Sequence, residues 1–110
     1  MNRFIRATGN ENNINETINP GVGWQLSEIR VHLDGAGAAT DLTATVESSA
    51  SGENNEYDVV VLTQSMDGIT DYVYQPDRPH VFAKGDKLKI EWANSNRRWG
   101  LEVVFSGTSF

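Results

Sequence analysis

Cysteine is missing from the chain, and disulfides and thiolate metal sites go with it. That argues against a small secreted, disulfide-stapled scaffold and suits a protein made in a cytoplasm. Long apolar runs are missing too: no stretch approaches the roughly 20 apolar residues a membrane-spanning helix needs. The opening residues, Met1-Asn2-Arg3-Phe4-Ile5-Arg6, lead into no apolar segment of the signal-peptide kind. Positive charge is scarce, with 9 Lys and Arg against 15 Asp and Glu and a net charge of −6. A general nucleic-acid binder normally shows a basic footprint, so that class is disfavoured. Histidine is reduced to two residues. His32 and His80 are spaced neither as a metal-binding pair nor beside clustered carboxylates, so no metal centre is expected. Helical periodicity with caps is absent throughout.

What the chain does have is alternation. Trp24 and Leu26 alternate with Gln25 and Ser27, and Ile29, Val31 and Leu33 alternate with Arg30 and His32. The apolar phase slips by one residue near Ser27-Glu28, as a β-bulge would make it. Leu42, Ala44 and Val46 mark another half-buried strand, as do Leu88, Ile90 and Trp92, and Leu101, Val103 and Phe105. Tyr57 to Thr63 holds Val59-Val60-Val61-Leu62, apolar on both faces. Such a run predicts either a central strand covered on both sides or a strand with one face against a partner. Tyr72-Val73-Tyr74 is a short strand stopped by Pro76, and Val81-Phe82 follows Pro79. Turns fall at Asp34 to Ala39, Asp67-Gly68 and Lys84-Gly85-Asp86, with polar loops over Ser48 to Asn55 and Asn94 to Arg97.

Seven or eight short strands in 110 residues describe one all-β domain. The predicted architecture is an antiparallel, eight-stranded β-sandwich over residues 24–110. Residues 1–23 are predicted as an N-terminal arm or long loop with one short strand at 3–7. Thr8 to Gly23 has too few apolar residues to order itself and reads as an arm that reaches a neighbouring subunit. Deleting residues 1–22 is then expected to leave the sandwich folded. The expected core comprises Leu26, Val31, Leu33, Leu42, Val46, Val59, Val61, Leu88, Ile90, Trp92, Leu101 and Val103. An immunoglobulin-like sandwich is the rival topology, without its Cys…Trp…Cys signature.

Signs of catalysis are few. No Gly-x-Ser-x-Gly elbow is present, and nothing pairs two of the fifteen carboxylates across a cleft. Asp34, Asp41 and Asp67 stand beside glycines as turn residues do, and none begins an EF-hand loop. The chain is therefore expected to be no enzyme and to need no cofactor. Charge is uneven: residues 1–76 carry a net of −8 and residues 77–110 a net of +2. Arg97-Arg98-Trp99-Gly100 combines the residue types that anchor protein interfaces. Trp also stacks on sugars, so Trp99, Tyr72 and Tyr74 form the alternative, a glycan-binding platform on a carbohydrate-binding or fibre-tip module.

The second half, Asp71-Tyr72-Val73-Tyr74-Gln75-Pro76-Asp77 through Gly85-Asp86-Lys87-Leu88-Lys89-Ile90-Glu91-Trp92-Ala93-Asn94 to Trp99-Gly100-Leu101-Glu102-Val103, resembles small phage-encoded jelly-roll virion proteins. Trp24 to Leu33 fits their first long strand, and the resemblance spans about residues 24–106. It implies a jelly roll and a structural role in the virion, such as capsid decoration or cementing. It implies no catalytic residue. The expected partners are the major capsid protein or another virion protein, and further copies of the chain as a homo-oligomer, a trimer by preference. Neither nucleic acid nor membrane is expected as a partner. The chain would be made in the bacterial host cytoplasm and carried on the virion. The candidate interface residues are Arg3, Arg6, Tyr72, Tyr74, Arg97, Arg98 and Trp99.

Overall fold

A computed structural model describes residues 2–19, 21, 23–48, 58–78, 80–94 and 96–107. Tyr57 and most of the loop expected over Ser48 to Asn55 lie outside these residues. The described chain forms nine strands and, among the described residues, no helix. They are β1 (Asn2–Asn10), β2 (Ile14–Ile18), β3 (Trp24–Leu33), β4 (Asp41–Glu47), β5 (Val59–Ser65), β6 (Asp71–Tyr74), β7 (His80–Phe82), β8 (Lys87–Trp92) and β9 (Arg98–Gly107).

Two antiparallel sheets result. One has the order β1-β9-β3-β6, with β7 also paired to β3; the other has the order β2-β8-β4-β5. If β6 and β7 count as one interrupted strand, the chain has eight positions. The first then pairs with the last (β1·β9), the second with the next to last (β2·β8), the third with the sixth (β3·β6/β7) and the fourth with the fifth (β4·β5). That is a two-stranded antiparallel ribbon of four successive strand pairs, rolled into a two-sheet sandwich, the jelly-roll arrangement. The ninth strand arises because the sixth position is broken between Tyr74 and His80, where Pro76 offers no N–H to a ladder.

The alternation read from the sequence is the alternation of burial. Leu26, Ile29, Val31 and Leu33 of β3 meet Leu42, Ala44 and Val46 of β4, Leu88, Ile90 and Trp92 of β8 and Leu101, Val103 and Phe105 of β9 in one core cluster. Fully burying each large side chain contributes roughly 1.5–3 kcal/mol. Trp24 is sandwiched in this core, 4.0 Å from Phe82 and 5.5 Å from Phe105 between ring centroids. The β3–β9 register shifts between Leu26 and Glu28, so the expected bulge is present. It lets Leu26 and Ile29, three residues apart, both face inward. At the turn before β8, Gly85 takes φ 89°, a left-handed conformation that suits glycine. Asp86 Oδ2 accepts the Ala83 N–H at 2.9 Å across that turn.

Three expectations need correction. Residues 1–23 contain β1 and β2, not an arm with a strand at 3–7. β1 pairs with β9 along nine residues, and Ile14 and Ile18 of β2 are buried in the core. The Val59–Leu62 run lies on an edge strand, not a central one. A second bulge explains its four apolar residues: Ala44 pairs with Leu62 but Thr45 with Val60, so Val61 is the extra residue. Only Leu62 is then buried; Val61 packs against the core from its rim and Val59 is 56% exposed, so Val59 is not a core residue.

Candidate contact surface

Because strands alternate faces, the residues between the core positions of β1, β9, β3 and β6 form the outer surface of the first sheet. The registers align them in rows. Arg6 lies opposite Glu102, Glu102 opposite Arg30, and Arg30 opposite Val73. The next row is Thr8, Gly100, His32 and Asp71. On the other side, Phe4 faces Val104 and Val104 faces Glu28.

Charges in these rows neutralise one another. Glu102 receives Arg6 Nε at 2.6 Å and Arg30 Nη1 at 3.5 Å. Arg30 Nε also meets Glu28 Oε2 at 2.6 Å, while Gln75 Nε2 donates to Glu28 Oε1 at 2.7 Å. Glu28 is buried under this ladder, a position a carboxylate holds only when paired. Arg6 also covers the Phe4 ring, 4.3 Å from its centroid. His32 Nδ1 and Asp71 Oδ1 form a second, exposed pair. Gly100 leaves a gap in the sheet surface, with open space where a side chain would stand. A groove of about 320 Å³ crosses it, flanked by Arg6, Thr8, Arg30, His32 and Asp71. Two apolar side chains frame the ladder, Phe4 at 56% and Val73 at 51% exposure.

The expected interface residues separate into three groups. Arg3 and Arg6 are exposed on β1, and Arg6 belongs to the ladder just described. Tyr72 and Tyr74 of β6 lean the other way and pack against the core. Tyr74 Oη reaches across the gap between the sheets to Val61 O at 3.3 Å and, within its own sheet, meets His80 Nε2 at 3.0 Å. Burial raises the Tyr72 phenol above its ordinary value of 10.0, and burial, then negative charge at Tyr72 and Asp77, raises that of Tyr74.

Arg97, Arg98 and Trp99 form the third group, at one end of the sandwich, and there they clasp their own chain. Arg97 Nε donates to Ala36 O at 2.8 Å, and Arg98 Nε to Asn10 Oδ1 at 3.1 Å. Asn94 ties the same loops together: its N–H donates to Asn13 Oδ1 at 2.8 Å and its side-chain amide to Asn12 O at 2.9 Å. Trp99 is buried, 3% exposed, with Nε1 donating to Asn12 O at 2.9 Å. It is therefore a core residue, not an exposed anchor. With Trp99 inside and both tyrosines packed inward, the sugar-stacking platform expected from these three residues does not form.

Glu28, Arg30, Glu102 and His32 belong to this surface but not to the expected interface residues. Their signal was register: each falls out of phase with the core positions of β3 or β9. Among the described residues no group of three His, Cys, Asp or Glu side chains is placed to hold a metal ion. Glu28 and Glu102 bind arginines of their own chain, whereas His32 and Asp71 pair with each other beside the groove.

No protein-family model matches the chain, and no curated protein matches it in sequence. Among solved structures, the chain is similar to a chain of infectious bursal disease virus, Gx strain, at 14% identity and a TM-score of 0.36. The similarity covers 98% of this chain and 33% of that one, so this chain spans about a third of that protein's length, and no function passes from one to the other.

Proposed function

We propose that this chain is a structural virion protein of a bacteriophage, which decorates or cements the capsid through protein–protein contacts and without catalysis. The observation that carries this reading is the outer surface of the first sheet. Arg6, Glu102, Arg30 and Glu28 hold one another in place there, so their side-chain entropy is already reduced before a partner arrives. Phe4 and Val73 beside them supply exposed apolar area. A preorganised surface of mixed polarity is what protein interfaces use. The jelly-roll pairing and the sequence resemblance favour the same role. The partner is then the major capsid protein or another virion protein, and the protein is made in the host cytoplasm and carried on the particle. Repeated copies on a symmetric shell convert weak single contacts into firm attachment.

The test is cosedimentation of the purified chain with virus particles, together with a mass-spectrometric search for it in purified virions. The wild type should pellet with particles, and Phe4→Asp and Val73→Asp should each reduce the pelleted fraction while the fold is retained. Absence of the chain from virions, or binding untouched by both substitutions, would overturn the reading.

A further inference from the structure

An open sandwich ends in edge strands whose outward N–H and C=O groups offer a template for pairing, and natural edges are blunted by charge, proline, brevity or bulges. Three of the four edges here are blunted. β1 carries Arg3 and Arg6, and β2 is five residues long with Glu16 at its centre. The edge made by β6 and β7 is split into four and three residues, opens with Asp71 and has Pro76 in its gap.

β5 differs from all three. It runs for seven residues without a charged side chain and, among the described residues, pairs only with β4. Its bulge is confined to Val61, which leaves Leu62 to Ser65 in regular register with β4. Val60 lies opposite Thr45 on the outer face and is 57% exposed. Thr63, also exposed, continues that face. The β-branched residues Val59, Val60, Val61 and Thr63 suit a further strand.

We propose that β5 pairs antiparallel with β5 of a second copy of this chain about a twofold axis, joining two four-stranded sheets into one of eight. Charge selects the second copy. A molecule of net charge −6 repels its own kind unless the surfaces that meet are locally neutral. β5 is the edge that is neutral along its whole length. Pairing β5 with another copy's β1, β2 or β6 would set it against an edge bearing charge, whereas β5 against β5 joins two uncharged strands of equal length. A twofold contact also closes on itself and does not propagate into fibres. The assembly contains two copies, in place of the three expected from the sequence. It does not depend on the virion reading, and either stands without the other.

Analytical ultracentrifugation of the full chain, from micromolar concentration upward, should show reversible association from 12.2 kDa to twice that mass. Val60→Lys and, separately, Thr63→Lys place like charges on the paired edge and should each weaken association at least about tenfold. Both side chains are exposed, so circular dichroism should be unchanged, and either variant alone suffices if the other fails to fold. Amide exchange on β5 should slow as concentration rises, while that on β1 and β2 should not change. A monomer at all concentrations, a threefold species, a dimer indifferent to the lysines, or concentration-dependent protection on β1 or β2 instead of β5 would each overturn the proposal.

Discussion

Gly9 and Trp99 face each other across the β1–β9 ladder, and a Cβ added to Gly9 would stand 2.2 Å from Trp99 Cε2. The indole lies over the glycine, filling space an ordinary side chain on this edge strand would take. Gly9→Ala must displace either the ring or β1, and overpacking of this kind costs about 1–3 kcal/mol. Urea denaturation should show a lower midpoint with an unchanged slope. A midpoint equal to wild type would mean that the ring relaxes without cost.

Removing residues 1–22 should abolish folding. The deletion strips β1 from β9 and takes Ile14 and Ile18 out of the core. It also removes Asn12 and Asn13, which accept hydrogen bonds from Trp99 and Asn94. Far-ultraviolet circular dichroism and proteolysis of the truncated chain should report an unfolded protein. A cooperative melt would show that the other strands suffice.

This stretch shows where the sequence was hard to read. β3, β8 and β9 were legible because inner strands bury every second residue in full. Even the β3 bulge showed as a slip of phase. β2 is an edge strand that buries only its two end residues, and Glu16 between them meets solvent at the sandwich rim. Its composition therefore looked like a loop. β5 misled in the opposite sense, because a bulge placed apolar residues on both faces of an edge. For Trp99 a signal existed. Stepping back by two from Phe105, Val103 and Leu101 lands on it in the buried phase, but two neighbouring arginines suggested surface. Of the contact surface, the charged residue types were legible, but their alignment into rows needs the register between distant strands, which one sequence does not contain.

All three tryptophans should fluoresce as buried residues. Trp24, Trp92 and Trp99 are 0%, 2% and 3% exposed. Native emission should lie to the blue of that in urea, and acrylamide should quench the native protein far less than the unfolded one. Strong quenching of the native state would place at least one indole at the surface.

Alkaline pH should weaken the fold. The Tyr72 and Tyr74 phenols hold their protons more tightly folded than unfolded. Their contribution is present in full below the ordinary value of 10.0 and is lost as pH rises through the raised folded values. The urea midpoint should fall between neutral pH and about pH 11, and less so with Tyr72→Phe and Tyr74→Phe combined. At neutral pH, Tyr74→Phe should cost about 0.5–1.5 kcal/mol through its lost hydrogen bonds. The same alkaline decline in the double variant would assign it to other groups.

The pairing of β1 with β9 also sets a timetable for synthesis. β9 is the inner strand between β1 and β3, joining Asn2 to Ser106 and Leu33 to Trp99 in register. Until residues 98–107 leave the ribosome, β1 has no neighbour and the first sheet cannot close. The nascent chain then keeps the apolar face of β1 uncovered until this segment is made, a non-local pairing that delays closure of the first sheet.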